Sequence, residues 1–299
     1  MDGLPTTLLP LAGGHSGETF LAEVAGEQVV VRIYGPRSAW RGPLAPEVDA
    51  AVLGLVRGLL PVPDVLEVRR PRPDADDLPG LLMTRRLPGE RLDRVLAGLD
   101  ASDQQRLGAA LGTLIGRLGH VAMPRAGLFT DRELAIGPLP GDASDLPSWV
   151  DRHAGALPWS VDELEALRRL ADDAQSLLDE AARHCLVHGD LNPKNLLVDP
   201  ETLELTGLVD WEFAHAGSPW TDLGNLLRFE RGEPFAGAVL SSYTAFMPWV
   251  PDDLLDRARA ADLFALVELA ARRGDNPVAS RAHDQLLAVV RTGDLHASH

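Results

Sequence analysis

The stretch CLVHGDLNPKNLLVDPETLELTGLVDWEFAHAGSPWTD, residues 185 to 222, alternates short apolar runs with polar turns. Asp190 and Asp210 each follow an apolar run, and Asn195 lies between them in the sequence. The residues DPET at 199–202 have the composition of a turn, so they predict a hairpin that returns the chain. We therefore expect Asp190, Asn195 and Asp210 to meet in one small region.

Oxygen donors of this kind favour one class of chemistry. Two carboxylates and one amide oxygen suit a hard divalent cation such as Mg²⁺ better than a soft metal. In phosphoryl transfer, such a cation neutralises phosphate charge while an Asp orients the attacking hydroxyl. The residues therefore indicate a phosphoryl-transfer site.

Two motifs carry a resemblance to a known family. The motif HGDLNPKN at 188–195 is similar to the protein-kinase catalytic loop H-R-D-x-x-x-x-N, with Gly189 in place of arginine. The motif DWE at 210–212 stands where kinases have D-F-G. In this order and spacing, the motifs resemble the aminoglycoside phosphotransferase family, whose members are relatives of the protein kinases. A pair of ordinary strand-end turns is the alternative interpretation.

The resemblance implies a role for each polar residue of the loop. Asp190 is expected to orient the acceptor hydroxyl and accept its proton, while Asn195 and Asp210 hold Mg²⁺. His188 is expected to fix the loop by hydrogen bonding rather than to transfer protons. Lys194 reaches the phosphoryl group or the Asp190 carboxylate, or else it is an ordinary solvated lysine.

Three further acidic residues are candidates for supporting roles. Glu212 is expected to support the metal site or contact substrate. In the family an aspartate braces the catalytic loop, and Asp222 matches that position, with helix capping as the alternative. Glu268 falls beside an apolar helical stripe, where it contacts a cationic substrate or makes a surface salt bridge.

The fold implied by the resemblance is α+β, a bilobal protein-kinase-like fold. Residues 1–84 are expected to form a small nucleotide-binding lobe, an antiparallel sheet with one helix. Residues 85–299 are expected to form a larger, mainly helical lobe with the catalytic loop and the acceptor site. A chain of 299 residues suits such a division into two parts.

The N-terminal lobe offers candidate contacts to a nucleotide phosphate chain. Ser16 and Gly17, in the motif GGHSG, are expected to bring backbone donors close to phosphate. Arg32 occupies the place where kinases have a phosphate-binding lysine, and its charged fork can hold phosphate. Glu47, at the start of an amphipathic helix, is expected to pair with Arg32; Asp49 is the alternative partner. A solvated acid favoured by the helix dipole is the simpler interpretation of Glu47.

In the family, the nucleotide base is read where a strand crosses to the second lobe. The residues matching that crossing are Met83, Thr84 and Arg85, and the nucleotide is ATP or GTP. Local signals also predict element boundaries: a two-residue turn at Gly26–Glu27 joins two strands. Capping boxes at Ser102 and Ser160 predict the starts of two helices.

Composition limits the partners and the compartment. The formal net charge is −16 and the isoelectric point is near 4.9, so nucleic acids and anionic membranes are not expected partners. Acidity either attracts a cationic acceptor or serves solubility alone. The single cysteine, Cys185, excludes an intrachain disulfide, and the N-terminus has no signal-peptide pattern. These features favour a cytoplasmic protein, either a monomer or a homodimer.

Three functions fit these observations. The first is an antibiotic kinase that phosphorylates an aminoglycoside, a macrolide or a cationic peptide of the tuberactinomycin type. The second is a kinase for a small metabolite such as choline, homoserine or a sugar. The third is a nucleotide-binding pseudokinase module, which the presence of all three oxygen-bearing residues disfavours. A protein kinase is disfavoured because no Ala-Pro-Glu motif follows Asp210.

Overall fold

The computed structural model describes residues 8–11, 19–35, 41–72, 78–141, 144–180 and 183–298. The strands of these ranges are β1 Leu9–Pro10, β2 Thr19–Val24, β3 Glu27–Tyr34, β4 Val65–Arg69, β5 Gly80–Arg85, β6 Glu90–Arg91, β7 Ala122–Met123, β8 Gly127–Phe129, β9 Ile136–Gly137, β10 His184–Val187, β11 Leu196–Val198, β12 Leu205–Leu208 and β13 His215–Gly217. The α-helices are α1 Ala45–Val56, α2 Leu92–Val95, α3 Ala101–His120, α4 Leu146–Ala154, α5 Val161–Asp179, α6 Thr221–Leu226, α7 Glu233–Phe246, α8 Leu254–Ala271 and α9 Pro277–Thr292.

The chain divides into two compact units. Unit 1 combines Met1–Leu107, Leu128–Gly137 and Pro193–Ala214. Unit 2 combines Gly108–Gly127, Pro138–Asn192 and His215–His299. The predicted lobes, 1–84 and 85–299, stay a prediction.

Unit 1 contains an antiparallel sheet with the strand order β1-β2-β3-β5-β4. Val29 and Val31 of β3 are buried with Ala22 and Met83 in one apolar cluster. Because side chains alternate along a strand, Arg32 lies on the opposite face of β3 from these valines. The sheet therefore presents the Arg32 guanidinium away from its apolar cluster.

The turn between β2 and β3 corrects one prediction. Its two central residues are Ala25 and Gly26, with φ angles of 52° and 82°, and Val24 pairs with Glu27. The predicted turn at Gly26–Glu27 is wrong by one residue. A turn with positive φ at both central positions matches the right-handed twist of the strands, and glycine takes its second position.

Helix α1 packs its apolar face into unit 1. Pro46 stands in its first turn, where the missing N–H is no loss. Val48, Val52 and Val56 are at most 5% exposed, as expected from their helical spacing. The helix ends at Val56, because the next residue has extended backbone angles.

A second antiparallel sheet of unit 1, with the order β12-β11-β6, carries the predicted hairpin. The side chain of Asp199 accepts hydrogen bonds from the backbone N–H groups of Glu201 and Thr202, at 2.8 and 2.9 Å. This turn is the one that the composition of the segment predicted. Asn195 precedes β11 and Asp210 follows β12, so the hairpin brings both residues to its open end.

Unit 2 is mainly helical and contains the antiparallel strands β7, β10 and β13. Helices α4, α5, α8 and α9 contribute side chains to one apolar core. The capping box at Ser160 is present at the start of α5. Within the described residues, no helix combines the length and apolar character that a membrane crossing requires.

Helix α3, which begins in unit 1, starts earlier than its predicted capping box. Asp100 accepts a hydrogen bond from the Asp103 N–H at 2.9 Å, and the helix begins at Ala101. The predicted cap at Ser102 is therefore wrong. Asp and Ser serve equally well as caps, so their spacing in the sequence did not decide between them.

Candidate active site

Asn195 and Asp210 lie side by side in unit 1. The backbone N–H of Val209 donates to the Asn195 carbonyl at 3.0 Å, which joins the two ends of the β11–β12 hairpin. Asp210 has a left-handed backbone conformation, with φ 68° and ψ 59°. Such strain at a non-glycine residue is concentrated at functional sites. The geometry therefore brings the backbone of Asn195 close to that of Asp210.

Arg32 of β3 bridges both carboxylates of the DWE motif. Its Nη1 donates to Asp210 Oδ1 at 2.7 Å, and its Nη2 donates to Glu212 Oε2. The side chains of Arg32 and Glu212 are only 11% and 14% exposed, and that of Asp210 is 31% exposed. Three charged groups therefore share a largely desolvated part of unit 1.

The pKa values of the bridged groups follow from this arrangement. Burial alone would lower the pKa of Arg32, but the charges of Asp210 and Glu212 raise it above its ordinary value. Burial raises the pKa of Glu212; the charge of Arg32 opposes this shift and that of Asp210 adds to it. Between them, Trp211 is buried and donates its indole N–H to the Leu208 carbonyl at 3.0 Å. Trp211 thus anchors the turn.

Neither predicted partner of Arg32 pairs with it, so that prediction is wrong. Glu47 accepts a hydrogen bond from Arg70 Nε at 2.8 Å. Asp49, which is 3% exposed, accepts hydrogen bonds from Arg41 and from the Tyr34 hydroxyl. The buried charge of Asp49 is thereby neutralised by a nearer arginine.

The predicted contacts of Met83, Thr84 and Arg85 to the nucleotide base stay a prediction. Met83 and Thr84 lie in β5, which has β3 on one side and β4 on the other. The pairing with β4 is irregular here, with a register shift between Val65 and Glu67. Arg85 is exposed at the end of β5 and pairs with Glu27 at 2.8 Å. Ser16 and Gly17 lie outside the described residues.

The loop with Asp190 belongs to unit 2 and is tied down by Asp222. Strand β10 ends at Val187, and the next two backbone N–H groups, of His188 and Gly189, donate to the Asp222 carboxylate at 2.8 and 3.0 Å. Burial raises the pKa of Asp222, while the two N–H donors lower it. These are the contacts that the predicted brace requires.

Asn192 holds the Asp190 side chain, a role that sequence reasoning missed. Its Nδ2 donates to Asp190 Oδ1 at 2.6 Å and to the Asp190 carbonyl at 3.1 Å. His188, which is fully buried, accepts the Asp190 N–H through Nδ1 at 3.3 Å. The available signal was an amide residue two positions after a carboxylate, which is typical of local side-chain bonding. Lys194 is half-buried in the short helix Pro193–Asn195.

A buried ion pair also lies in unit 2. Arg228 Nη2 bonds Asp262 Oδ1 at 2.6 Å, and Asn225 donates to the same oxygen at 2.9 Å. Burial would lower the pKa of Arg228, but Asp262 raises it, and the charges of Asp190 and Glu268 add to that rise. Glu268 and Asp190 thus act on the same guanidinium.

The donor set fits Mg²⁺ bound together with a phosphate ligand. Among the described residues, no group of three His, Cys, Asp or Glu side chains is placed to hold a metal ion. Mg²⁺ keeps several waters and usually takes only one or two protein carboxylates plus substrate phosphates. Asp210 and the Asn195 amide oxygen match that modest requirement, and a soft metal would not find its ligands here.

Several proteins of known sequence or structure resemble this chain. Mouse acyl-CoA dehydrogenase family member 10 is 24% identical over 229 residues, which cover 73% of this chain but 20% of that protein. Streptomycin 3''-kinase of Streptomyces griseus is 28% identical over 235 residues, covering 75% of this chain and 81% of the kinase. The chain thus spans only a small part of the mouse relative.

Solved structures confirm the protein-kinase-like α+β fold. The GDP complex of aminoglycoside 2'-phosphotransferase-IIIa aligns with a TM-score of 0.68 at 19% identity, covering 97% of this chain and 94% of the other. A thermostable mutant of aminoglycoside phosphotransferase APH(4)-Ia, with ADP and hygromycin B, aligns with a TM-score of 0.64 at 18% identity and covers 97% and 95%.

A model of a protein family also matches this sequence. The model for the phosphotransferase enzyme family matches residues 7–261, which is most of the sequence. The matched region contains Arg32, the loop of Asp190, and the DWE motif with its bridged carboxylates. The chain belongs to the phosphotransferase enzyme family.

Proposed function

We propose that the protein transfers the γ-phosphoryl group of ATP or GTP to a hydroxyl group of a small molecule, with Mg²⁺ as cofactor. The observation that carries the proposal is the backbone hydrogen bond from Val209 to Asn195, which brings Asn195 close to the strained Asp210. Family membership and the phosphotransferases of similar fold support the same reaction.

Each polar residue of the site has a separate role in the proposed reaction. Asp190 orients the acceptor hydroxyl and takes its proton, and Asn192 fixes one oxygen of the Asp190 carboxylate. Asp222 keeps the loop in place through its two backbone hydrogen bonds. Asn195 and Asp210 are the residues that would hold Mg²⁺, which supplies charge neutralisation at the phosphates when bound.

For the acceptor we propose a small cationic antibiotic, such as an aminoglycoside or a tuberactinomycin-type peptide. The net charge of −16 attracts cations. In unit 2, the negative charges of Asp190 and Glu268 both raise the pKa of Arg228. The similarity to a streptomycin kinase over 75% of the chain supports this class.

A metabolite kinase is the second candidate. It is favoured by the similarity to a mouse protein whose name refers to acyl-CoA dehydrogenases and to no antibiotic. The two candidates predict different acceptors for the same phosphoryl transfer. Choline, homoserine and sugars represent this second class, and each lacks the multiple positive charges of an aminoglycoside.

The test measures acceptor-dependent release of ADP or GDP over a panel of antibiotics and metabolites. Asp190→Asn should lower the rate about 10²–10⁴-fold with the active acceptor while nucleotide affinity stays unchanged. Asp151→Asn, in an exposed pair with Arg168, is the matched control and should keep full turnover. Turnover by Asp190→Asn equal to that of the control would refute the proposed role of Asp190.

A further inference from the structure

Arg32 places a positive charge beside Asp210, the proposed Mg²⁺ ligand. Its Nη1 is 2.7 Å from Asp210 Oδ1, the carboxylate proposed for Mg²⁺, and its Nη2 bonds Glu212. The Arg32 side chain is 11% exposed, so solvent screens these attractions only weakly. A metal ion that approaches Asp210 must therefore compete with a fixed positive charge already at hydrogen-bond distance.

One nitrogen of the Arg32 guanidinium, Nε, makes no hydrogen bond to the described residues. This Nε atom is buried. A buried N–H without an acceptor is unfavourable, so an incoming anionic oxygen at Nε would satisfy it. Arg32 thus carries both an ion pair that opposes a bare metal ion and a donor suited to an anion.

Glu212 explains why the arginine need not leave the site. Because the Nη1 and Nη2 atoms bond different carboxylates, Arg32 can release Asp210 and keep its bond to Glu212. A lysine ammonium at this position has no planar fork with which to bridge two separate acids. The arginine and the glutamate therefore form a matched pair.

We propose that Arg32 makes divalent-metal binding at Asp210 depend on a nucleotide polyphosphate, which draws the guanidinium off Asp210 while Glu212 retains it. The inference rests on the proposed function, because it takes Asp210 as a metal ligand. The protein then binds the metal with the nucleotide, and metal alone binds weakly.

The test compares Mn²⁺ affinity by calorimetry and by the electron paramagnetic resonance of free Mn²⁺, without nucleotide. Arg32→Met should bind Mn²⁺ about tenfold more tightly than the wild type, the factor that corresponds to about 1.4 kcal/mol. Arg69→Met is the control: Arg69 pairs with Glu67 at the surface, so this variant should bind Mn²⁺ like the wild type. Addition of a non-hydrolysable ATP analogue should tighten Mn²⁺ binding to the wild type.

Asp210→Asn separates this inference from the proposed function. If Asp210→Asn weakens Mn²⁺ binding in the presence of the analogue but Arg32→Met matches the wild type without it, the inference is overturned. If Asp210→Asn changes Mn²⁺ binding in neither condition, the assignment of Asp210 as a metal ligand is wrong.

If circular dichroism shows that Arg32→Met is unfolded, Arg32→Lys replaces it. The lone ammonium should allow about threefold tighter Mn²⁺ binding than in the wild type, and an affinity equal to that of the wild type overturns the inference.

Discussion

Replacing Asp222 should destabilise unit 2 more than its position on a short helix suggests. The residue is 3% exposed, and its two oxygens accept backbone N–H groups of His188 and Gly189 at 2.8 and 3.0 Å. A hydrogen bond to a charged group contributes about 1.5–3 kcal/mol, so two of them represent about 3–6 kcal/mol. Alanine forfeits both bonds and leaves two buried donors unsatisfied.

The cost of burying a charge reduces this loss. Burial raises the pKa of Asp222 despite its two N–H donors, which shows that desolvation opposes the ionised carboxylate. We therefore expect Asp222→Ala to lower the free energy of unfolding by about 2–4 kcal/mol. Asp222→Asn keeps one acceptor oxygen and should lose about half as much.

Urea denaturation of the full chain, followed by circular dichroism, measures these losses. Asp151→Ala is the control, because Asp151 forms an exposed pair with Arg168 whose removal should cost less than about 1 kcal/mol. A loss for Asp222→Ala no larger than that of the control would refute the bracing role. Equal losses for the Ala and Asn variants would show that charge, and not the number of acceptors, matters at this site.

Three further outcomes are expected. Asn192→Ala should lower kcat about tenfold with little change in stability, because it frees the Asp190 side chain; an unchanged kcat in the acceptor assay would contradict this role. Asp210→Gly should be about 1 kcal/mol more stable in urea than Asp210→Ala, since glycine, unlike alanine, adopts the left-handed backbone without strain; equal stabilities would argue against strain. Burial raises the pKa of Cys185 to about 12, so a disulfide reagent at pH 8 should react only after urea is added, and rapid reaction of the native protein would disprove its burial.

The sequence predicted most elements because their signals are local. The apolar spacing of α1 and the capping box of α5 follow from helix geometry, and both appear in the structure. The predicted element boundaries were wrong where two local conformations have similar energies. Ala25–Gly26 and Gly26–Glu27 are both plausible turns, and Asp100 and Ser102 are both good caps.

The backbone of the candidate site was more predictable than its side-chain partners. The motif spacing placed Asn195 and Asp210 at one end of a hairpin, because strand pairing fixes where the chain returns. The partner of Arg32 depends on which acidic side chains are not already paired with another basic residue in the folded protein. Asp49 accepts a hydrogen bond from Arg41, which lies eight positions earlier in the chain. Neither helical nor strand periodicity predicts this contact.

Hydrogen bonds on both sides of Asp210 explain how its unfavourable backbone conformation persists. A non-glycine residue in the left-handed region costs about 1–2 kcal/mol. Before it, the Leu208 N–H donates to the Pro61 carbonyl at 2.7 Å; after it, the Ala214 N–H donates to the Trp211 carbonyl at 3.0 Å. Each bond contributes about 0.5–1.5 kcal/mol, so together they offset the strain and direct the carboxylate toward Arg32. The orientation of Asp210 therefore depends on the backbone hydrogen bonds that flank it.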